Sequence, residues 1–412
     1  MKISNTVTVS ILDNGLTCVH IRVPGPVGYC GLAIRAGSRD ENLDRNEGGL
    51  AHFVEHCIFK GTARRSADDI RNRMEQVGGE LNAFTGKDDT VVYTVFPSGN
   101  TARALELVAD LTCNSVFPEE ELEKEREVVE AEIDSYLDTP SEQIFDDFED
   151  LVLHDTPLGH NILGSAENLT GFSSAVCRSW IDRYYTACNC VLFYAGTTPR
   201  DSFERMAGRY FGAMPRGCRH LPAPLHIDAS PLKVCRRKDT HQSHVVMGTV
   251  LPEMSAADFC AMQLLSNITG GPGMNALLNV ELRERRGLVY TVETSASFPP
   301  GCTLFTVYFG CDAEDADLCK QLVRDTFSRL ADKPLTPAQL AAARRQYLGQ
   351  MVIANDNKEN RAIAIARSIL LRGHAYTGTE IRDMLDAVPP ERIAALASTL
   401  SDLSVLEFTP GL

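Results

Sequence analysis

The stretch GGLAHFVEHCIFKGT, residues 48–62, decides how the rest of the chain is interpreted. On a helix with about 100° per residue, His56 lies only about 40° around the axis from His52, and Glu55 lies on the flank of the same stripe. Two imidazoles one turn apart can bind one Zn²⁺, and a carboxylate beside them can take a proton from water. The alternative is a helix whose histidines either face solvent or lie in the core with their hydrogen bonds satisfied. Because the order His-x-x-Glu-His is an inverted zinc-protease motif, we favour the metal site.

Length and composition indicate two ordinary globular domains. The chain has 412 residues, of which 44% are hydrophobic and 23% charged, and one core rarely serves so long a chain. The N-terminal residues 1–6 lack the apolar core of a signal peptide, and no apolar run approaches the roughly 20 residues that span a bilayer. We therefore expect a soluble, cytoplasmic protein without a membrane partner.

Charge and cysteine usage exclude some classes of function. The net charge of −15 argues against nucleic acid as a partner, because its binding needs basic patches. The same charge fits a preference for basic peptides, or simply an acidic surface that keeps the protein soluble. The 13 cysteines contain no Cys-x-x-Cys pair, which is typical of reduced, mostly buried thiols.

The order of predicted elements indicates an α+β fold of two tandem, duplicated domains, each a mostly antiparallel sheet packed with helices. Asp13-Asn14-Gly15 is a strong hairpin signal between two strands, and each half ends in an apolar strand. A proline-rich stretch without periodicity separates the halves. The resulting ranges are 1–215 for a zinc-binding domain, 216–231 for a linker and 232–412 for a second domain. Predicted strands cover 6–12, 16–22, 28–35, 80–85, 90–96, 189–195, 232–236, 243–251, 289–298, 302–311 and 403–408, and the main predicted helices cover 101–113, 119–137, 141–153, 173–185, 255–267 and 274–286.

A third metal ligand has to come from elsewhere in the chain, since a catalytic zinc site uses three protein ligands and keeps one position open. The acidic helix at 123–133 is the source of candidates. Its residues Glu125, Val128, Val129 and Glu132 share one stripe, and glutamates on an apolar stripe are costly to bury unless they bind a cation or a donor. Glu127 and Glu130 belong instead to the solvated face.

The chain resembles the inverzincin peptidases of the pitrilysin and mitochondrial processing peptidase family. The resemblance is carried by His52-x-x-Glu55-His56, followed 76 residues later by Glu132. It implies one Zn²⁺ per chain, bound by both histidines and Glu132, with Glu55 as the general base. It also implies that Glu125 lies close to the metal in a supporting role.

Two further segments resemble substrate-binding parts of that family. The segment GGELNAFT, residues 78–85, resembles an edge strand that pairs with the substrate backbone, which makes Asn82 and Ala83 substrate-binding; the alternative is an ordinary strand start. Residues 282–290 resemble an Arg and Tyr pair that faces the zinc from the other half. Arg283 would then bind substrate carbonyls and the Tyr290 hydroxyl would stabilise an oxyanion. By itself, Arg-Glu-Arg-Arg is usually a solvated helix face.

The resemblance implies a zinc metalloendopeptidase that hydrolyses short or unfolded peptides. Full-length family members hold four such domains, so we expect two chains to enclose a chamber, with Arg283 and Tyr290 of one chain completing the zinc site of the other. That arrangement predicts a homodimer, or a heterodimer with a related chain. The rival interpretation is a catalytically silent assembly subunit of the same fold, which would have no need for base and ligands together.

Overall fold

The computed structural model describes residues 6–227 and 230–411. The N-terminal residues 1–5, two residues of the predicted linker and residue 412 lie outside this part. The strands are β1 Val7–Ile11, β2 Thr17–Arg22, β3 Val27–Ile34, β4 Glu80–Thr85, β5 Thr90–Pro97, β6 Cys190–Gly196, β7 Lys233–Lys238, β8 Ser243–Pro252, β9 Val289–Ser297, β10 Cys302–Cys311 and β11 Ser404–Pro410.

Fourteen α-helices accompany these strands in the described residues. They are α1 Leu50–Cys57, α2 Ala67–Glu75, α3 Thr101–Asn114, α4 Glu119–Leu137, α5 Pro140–Leu153, α6 Ala166–Leu169, α7 Ser174–Tyr184, α8 Arg200–Phe211, α9 Ala256–Gly270, α10 Ala316–Asp332, α11 Pro337–Ala354, α12 Lys358–Arg372, α13 Gly378–Ala387 and α14 Pro390–Ser398. Where a helix at 274–286 was predicted, the structure has a short π-helical turn over Asn279–Glu284. None of the described helices is long and apolar enough to cross a membrane.

The predicted α+β architecture is confirmed, because the chain forms two units that are each built on one sheet. The first sheet has the order β1-β2-β6-β3-β5-β4, and the second has the order β7-β11-β8-β10-β9. When β1 is set aside, both sheets place their first, fifth, second, fourth and third strands side by side. In both, the first and fifth strands form the parallel pair and the others pair antiparallel. This shared topology supports a duplication.

Each sheet buries both faces, and the helix on the second face comes from the other half of the chain. In the first unit the main core lies under α1, α3, α7 and α8, and the opposite face is covered by α12. In the second unit α5 takes the corresponding place, with Phe148 packed on the strand at Gly248. A Cβ at Gly248 would lie 2.9 Å from the Phe148 ring, so this contact requires glycine.

The compact units therefore differ from the contiguous ranges 1–215 and 232–412 in two segments. Ser135–His160 belongs to the second unit, and Asn355–Thr377 belongs to the first. The physical reason is that an apolar helix stripe specifies burial without specifying which sheet receives it. Residues 216–227, within the predicted linker, form neither helix nor strand.

The helix α12 is tied to the first sheet by an ion pair to a buried carboxylate at the turn between β4 and β5. Arg367 donates to both carboxylate oxygens of Asp89, from Nε at 2.6 Å and from Nη2 at 2.7 Å, across 278 residues of sequence. The Asp89 side chain is fully buried, whereas Arg367 is 41% exposed. A carboxylate in such a place depends on its partner, because water cannot replace the lost charge interaction.

We expect the substitution Arg367→Met to lower the free energy of unfolding by about 3 kcal/mol, since it leaves the buried carboxylate of Asp89 without a partner. Urea unfolding followed by circular dichroism measures the change. Arg361→Met is the matched control on the same helix, because Arg361 forms no ion pair with any described residue; its effect should stay within about 0.5 kcal/mol. Equal effects of the two substitutions would show that the ion pair does not stabilise the unit.

Candidate metal centre

The start of α1 is held by a carboxylate from the preceding loop. Glu41 accepts hydrogen bonds from the backbone N–H of Gly49 at 3.0 Å and of Ala51 at 2.8 Å. These N–H groups have no partner inside the helix, and a negative charge there is favourable. Gly49 has φ 93°, and a Cβ on it would lie 2.7 Å from the Leu163 carbonyl oxygen. Glycine at this position and the Glu41 cap therefore fix where the metal-site helix begins.

The structure brings together the three residues predicted as ligands. The Nε2 atoms of His52 and His56 lie 3.1 Å apart. Glu132, on α4, places one carboxylate oxygen 3.8 Å from His52 Nε2 and the other 3.5 Å from His56 Nε2. One donor atom from each residue lies within 4.8 Å of the other two. The histidine side chains are 9% and 21% exposed, whereas that of Glu132 is 45% exposed, so the cluster opens to solvent on the Glu132 side.

The same helix supplies Glu125, which contacts the opposite side of a histidine ring. Its Oε1 accepts from His56 Nδ1 at 2.8 Å, and its Oε2 lies 2.5 Å from the Lys60 ammonium. Burial alone raises the pKa of Glu125, but the hydrogen bonds from His56 and Lys60 outweigh it, so the pKa lies below its usual value. An ionised Glu125 accepts the Nδ1 proton, and the Nε2 lone pair of His56 then faces His52 and Glu132.

The electrostatics of the cluster fit a cation. Burial, followed by the positive charge of His56, lowers the pKa of His52 to about 4, so His52 is neutral and can act as a ligand. Burial opposes a charge on His56, but Glu125, Glu55 and Glu132 together raise its pKa, which means that positive charge is favoured at this point. Two imidazole nitrogens and one carboxylate are a donor set that Zn²⁺ prefers. The residues present therefore fit the metal that the motif implies.

The carboxylate of Glu55 lies close enough to His56 and Glu132 to interact with their charges, without being one of the three donor groups. It is 9% exposed, and its Oε2 accepts a hydrogen bond from the Thr85 hydroxyl at 3.0 Å. Burial raises the pKa of Glu55, whereas the charge of His56 and the bond from Thr85 oppose part of this shift. A buried carboxylate with a raised pKa is well suited to accept and release a proton.

The predicted substrate strand lies at the edge of the first sheet. Asn82 and Ala83 pair with Tyr93 and Val92 of β5, and no described strand pairs with the other edge of β4. Both residues are partly buried. Their backbone can accept a further strand on that edge of the sheet.

In the second unit, Arg283 and Tyr290 line one cavity of about 330 Å³ together with the glycine-rich segment at 270–273. Arg283 lies in the π-helical turn, and such turns are frequent at functional sites. Its neighbours Arg285 and Arg286 pair with Glu281, whereas Arg283 has no ion pair among the described residues. Tyr290 is 77% exposed. Both side chains are thus available to a ligand.

Comparison with known proteins agrees with this geometry. Residues 19–166 match Insulinase (Peptidase family M16), and residues 172–347 match the Peptidase M16 inactive domain. An uncharacterized zinc protease of Rickettsia felis is 30% identical over 396 residues, which is 95% of this chain and 94% of the relative. The uncharacterized zinc protease YmxG of Bacillus subtilis is 31% identical over 393 residues, or 95% and 92% of the two chains. The chain belongs to peptidase family M16.

Solved structures show the same M16 fold. A peptidase M16 inactive domain from Pseudomonas fluorescens superimposes with a TM-score of 0.88 at 19% identity, covering 98% of both chains. A protease from Helicobacter pylori gives a TM-score of 0.87 at 19% identity, covering 98% of this chain and 99% of the other. At this identity the likeness concerns the fold.

The two M16 matches divide the site residues between them. The first match contains the histidines, Glu55 and Glu132, and the second contains Arg283 and Tyr290. Among the described residues, the cluster of His52, His56 and Glu132 is the one group of His, Cys, Asp and Glu side chains with metal-binding geometry. The second match is called an inactive domain. This agrees with the structure, because the described residues of the second unit repeat the fold and contain no such cluster.

Sequence reasoning missed three contacts of this M16 site. Lys60 contacts Glu125, Glu41 contacts the start of α1, and Thr85 contacts Glu55. No sequence pattern assigned a role to these three side chains. The alternation of β4 offers a signal for Thr85, because it lies on the same strand face as Ala83, toward the core of the first unit. No comparable signal exists for Lys60 or Glu41, whose contacts depend on loops.

We expect Glu132→Ala to abolish stoichiometric zinc binding, because two histidines alone leave the site with too few ligands. Glu125→Gln should weaken zinc affinity roughly 10- to 100-fold through the lost support of His56. Competition with a chromogenic chelator measures both affinities.

The matched control for these variants is Glu130→Ala, on the exposed face of the same helix, which should bind zinc like the wild type. If Glu132→Ala retains full affinity, Glu132 is not a ligand.

Proposed function

We propose that this M16 chain is a zinc metalloendopeptidase. The observation that carries the proposal is the meeting of His52 Nε2, His56 Nε2 and the Glu132 carboxylate. The Glu55 carboxylate is not one of these three groups and accepts a hydrogen bond from Thr85. The names of the relatives support the same activity. A protein that used this fold only for assembly would have no need for the base or for the ion pair of Glu125 and Lys60 next to His56.

The chemistry follows from the protonation of these groups. When bound, a zinc ion supplies Lewis-acid polarisation of the scissile carbonyl and makes a water molecule easier to deprotonate. Glu55 accepts the proton of the attacking water on its carboxylate and passes it to the leaving amine nitrogen as the C–N bond breaks. Glu125 accepts a hydrogen bond from His56 Nδ1 and so keeps the proton on that nitrogen. The lone pair of Nε2 is then available to bind the metal.

We propose that the substrate binds to the outer edge of β4 as an extended strand. Asn82 and Ala83 offer backbone groups with no strand partner on that side, and pairing with backbone demands little of the substrate sequence. Only an extended chain can add to an edge in this way. Short or unfolded peptides are therefore the substrates we expect.

We further propose that two chains enclose a chamber in which Arg283 and Tyr290 of one chain complete the site of the other. The support is that Arg283 lacks an ion pair among the described residues and that the Tyr290 ring is largely exposed next to it. Arg283 would bind a substrate carbonyl, and the Tyr290 hydroxyl would donate to the developing oxyanion. A homodimer has both parts; a heterodimer with a related chain is the alternative.

The substitution Glu55→Gln removes the proton acceptor and keeps the shape of the side chain, so kcat for a quenched-fluorescent peptide mixture should fall by roughly 10²- to 10⁴-fold. Zinc content, measured by atomic emission, should not change. Glu127→Gln, on the exposed face of α4, is the control and should cleave like the wild type. Undiminished cleavage by Glu55→Gln would contradict the proposed mechanism.

Mixing two inactive variants tests the arrangement of the chains. In a dimer of one Glu55→Gln chain and one Arg283→Ala chain, the first chain supplies an intact Arg283 to the intact zinc site of the second. After unfolding and refolding of a 1:1 mixture, about a quarter of wild-type activity should return, because half of the dimers are mixed and each has one complete site. If the mixture stays as inactive as the separate variants, Arg283 does not act across the chains.

A further inference from the structure

The base Glu55 has to present one oxygen to the attacking water, and a carboxylate that rotates freely does so only part of the time. Among the described residues, the one hydrogen-bond donor to this carboxylate is Thr85, whose Oγ1 lies 3.0 Å from Oε2. Thr85 is the last residue of β4. The edge strand proposed to bind substrate therefore ends at the side chain that contacts the base.

The direction of this hydrogen bond follows from the neighbouring hydroxyl. Thr90 is fully buried and donates its own proton to the Ala36 carbonyl at 2.9 Å. The two threonine oxygens are 3.5 Å apart, which is a weaker contact than that between Thr85 and Glu55. The single hydroxyl proton of Thr85 is thus directed at Glu55 Oε2, and Oε1 is left for the proton of water.

The chain beyond Thr85 is fixed by buried charges. The turn closes with a hydrogen bond from Gly86 N–H to the Asp89 carbonyl at 2.8 Å, and Arg367 holds the Asp89 carboxylate at 2.6 and 2.7 Å. On the neighbouring residue, Asp88 accepts from Arg39 at 3.0 Å. Two ion pairs thus hold the backbone that carries the Thr85 hydroxyl, so the hydroxyl has little freedom to move away from Glu55.

We propose that Thr85 is a positioning residue for the general base, an inference that rests on the proposed function. Its hydroxyl holds Glu55 Oε2 so that Oε1 receives the proton of the attacking water and later returns it to the amine nitrogen. Thr85 keeps its own proton throughout, and the peptide bond is replaced by a carboxylate and an amine. The edge strand thereby serves two purposes, since its backbone aligns the peptide and its last side chain aligns the base.

The test compares Thr85→Val, which removes the hydroxyl and keeps the shape, with Thr85→Ser, which restores a hydroxyl. For the valine variant we expect kcat to fall roughly 10- to 100-fold with KM changed less than about threefold, because substrate binding does not use the hydroxyl. The serine variant should recover most of kcat. Zinc affinity should equal that of the wild type in both variants.

Two further measurements separate positioning from a general loosening of the hairpin. Thr94→Val removes a buried hydroxyl that donates to the Glu80 carbonyl in the same hairpin at 2.6 Å, and it should keep kcat within about twofold of wild type. Crystal structures should show the Glu55 carboxylate in more than one orientation in Thr85→Val and in one orientation in the wild type.

The outcomes distinguish this inference from the proposed function. If the wild type cleaves, Glu55→Gln does not, and Thr85→Val keeps full kcat with an ordered Glu55, the positioning role of Thr85 is wrong and the proposed function stands. If Thr94→Val loses as much kcat as Thr85→Val, the effect belongs to the hairpin and the inference is also wrong. A wild type that holds zinc and cleaves no peptide overturns both.

Discussion

The geometry of the candidate metal centre depends on which ring nitrogen of His56 carries a proton. If His56 carries it on Nδ1, the Nε2 lone pair points at His52 and Glu132, and three donor groups converge on one cation. If His56 carried it on Nε2, the two rings would hydrogen-bond to each other and the convergence would be lost. Glu125, almost fully buried and 2.5 Å from Lys60, decides between these states by accepting from Nδ1. The convergence of the three predicted ligands therefore relies on a partly buried ion pair between two other residues.

The duplicated fold explains how one chain carries two kinds of site. Apart from β1, both sheets have the same strand order and the same parallel pair. In the first unit α1, the helix with two histidines, lies between β3 and β4. At the corresponding place the second unit has a helix and a π-helical turn, with Arg283 beside the exposed Tyr290. Helix α5, from the first half of the sequence, belongs to the second unit, and α12, from the second half, belongs to the first unit. Each unit therefore needs both halves, and we expect neither half to fold as a complete unit by itself.

Some features of this site could be predicted from the sequence because they are local. The spacing of His52 and His56 fixes their common helix face, and the hairpin at residue 14 follows from its turn residues. Periodicity alone left other features open. Glu125 and Glu132 lie seven residues apart on one stripe, so the spacing did not say which of them contacts the cluster directly; the family resemblance assigned Glu132 as the ligand and Glu125 as the supporting residue, and the crossing of α4 with α1 places them accordingly. Val128, placed on the same stripe, is 52% exposed.

Two further features of the structure differ from the sequence-based predictions: the helix α8, and the sheets that α5 and α12 cover. The helix α8 was not predicted, although Phe203, Ala207 and Phe211 repeat at helical spacing and are fully buried. The exchange of α5 and α12 left no sequence signal, because periodicity shows that a helix has an apolar face and not which sheet covers it. The contact of Lys60 was missed because no periodic pattern fixes the direction of a side chain in a loop.

The central claim is that the side chains of residues 52, 56 and 132 hold one zinc ion. Anomalous diffraction at the zinc absorption edge, on crystals of the purified protein, tests it most directly. We expect one strong peak per chain at bonding distance, about 2.0–2.2 Å, from both Nε2 atoms and from a Glu132 oxygen. A zinc peak elsewhere, or Glu132 turned away from a metal that the histidines hold, would contradict it.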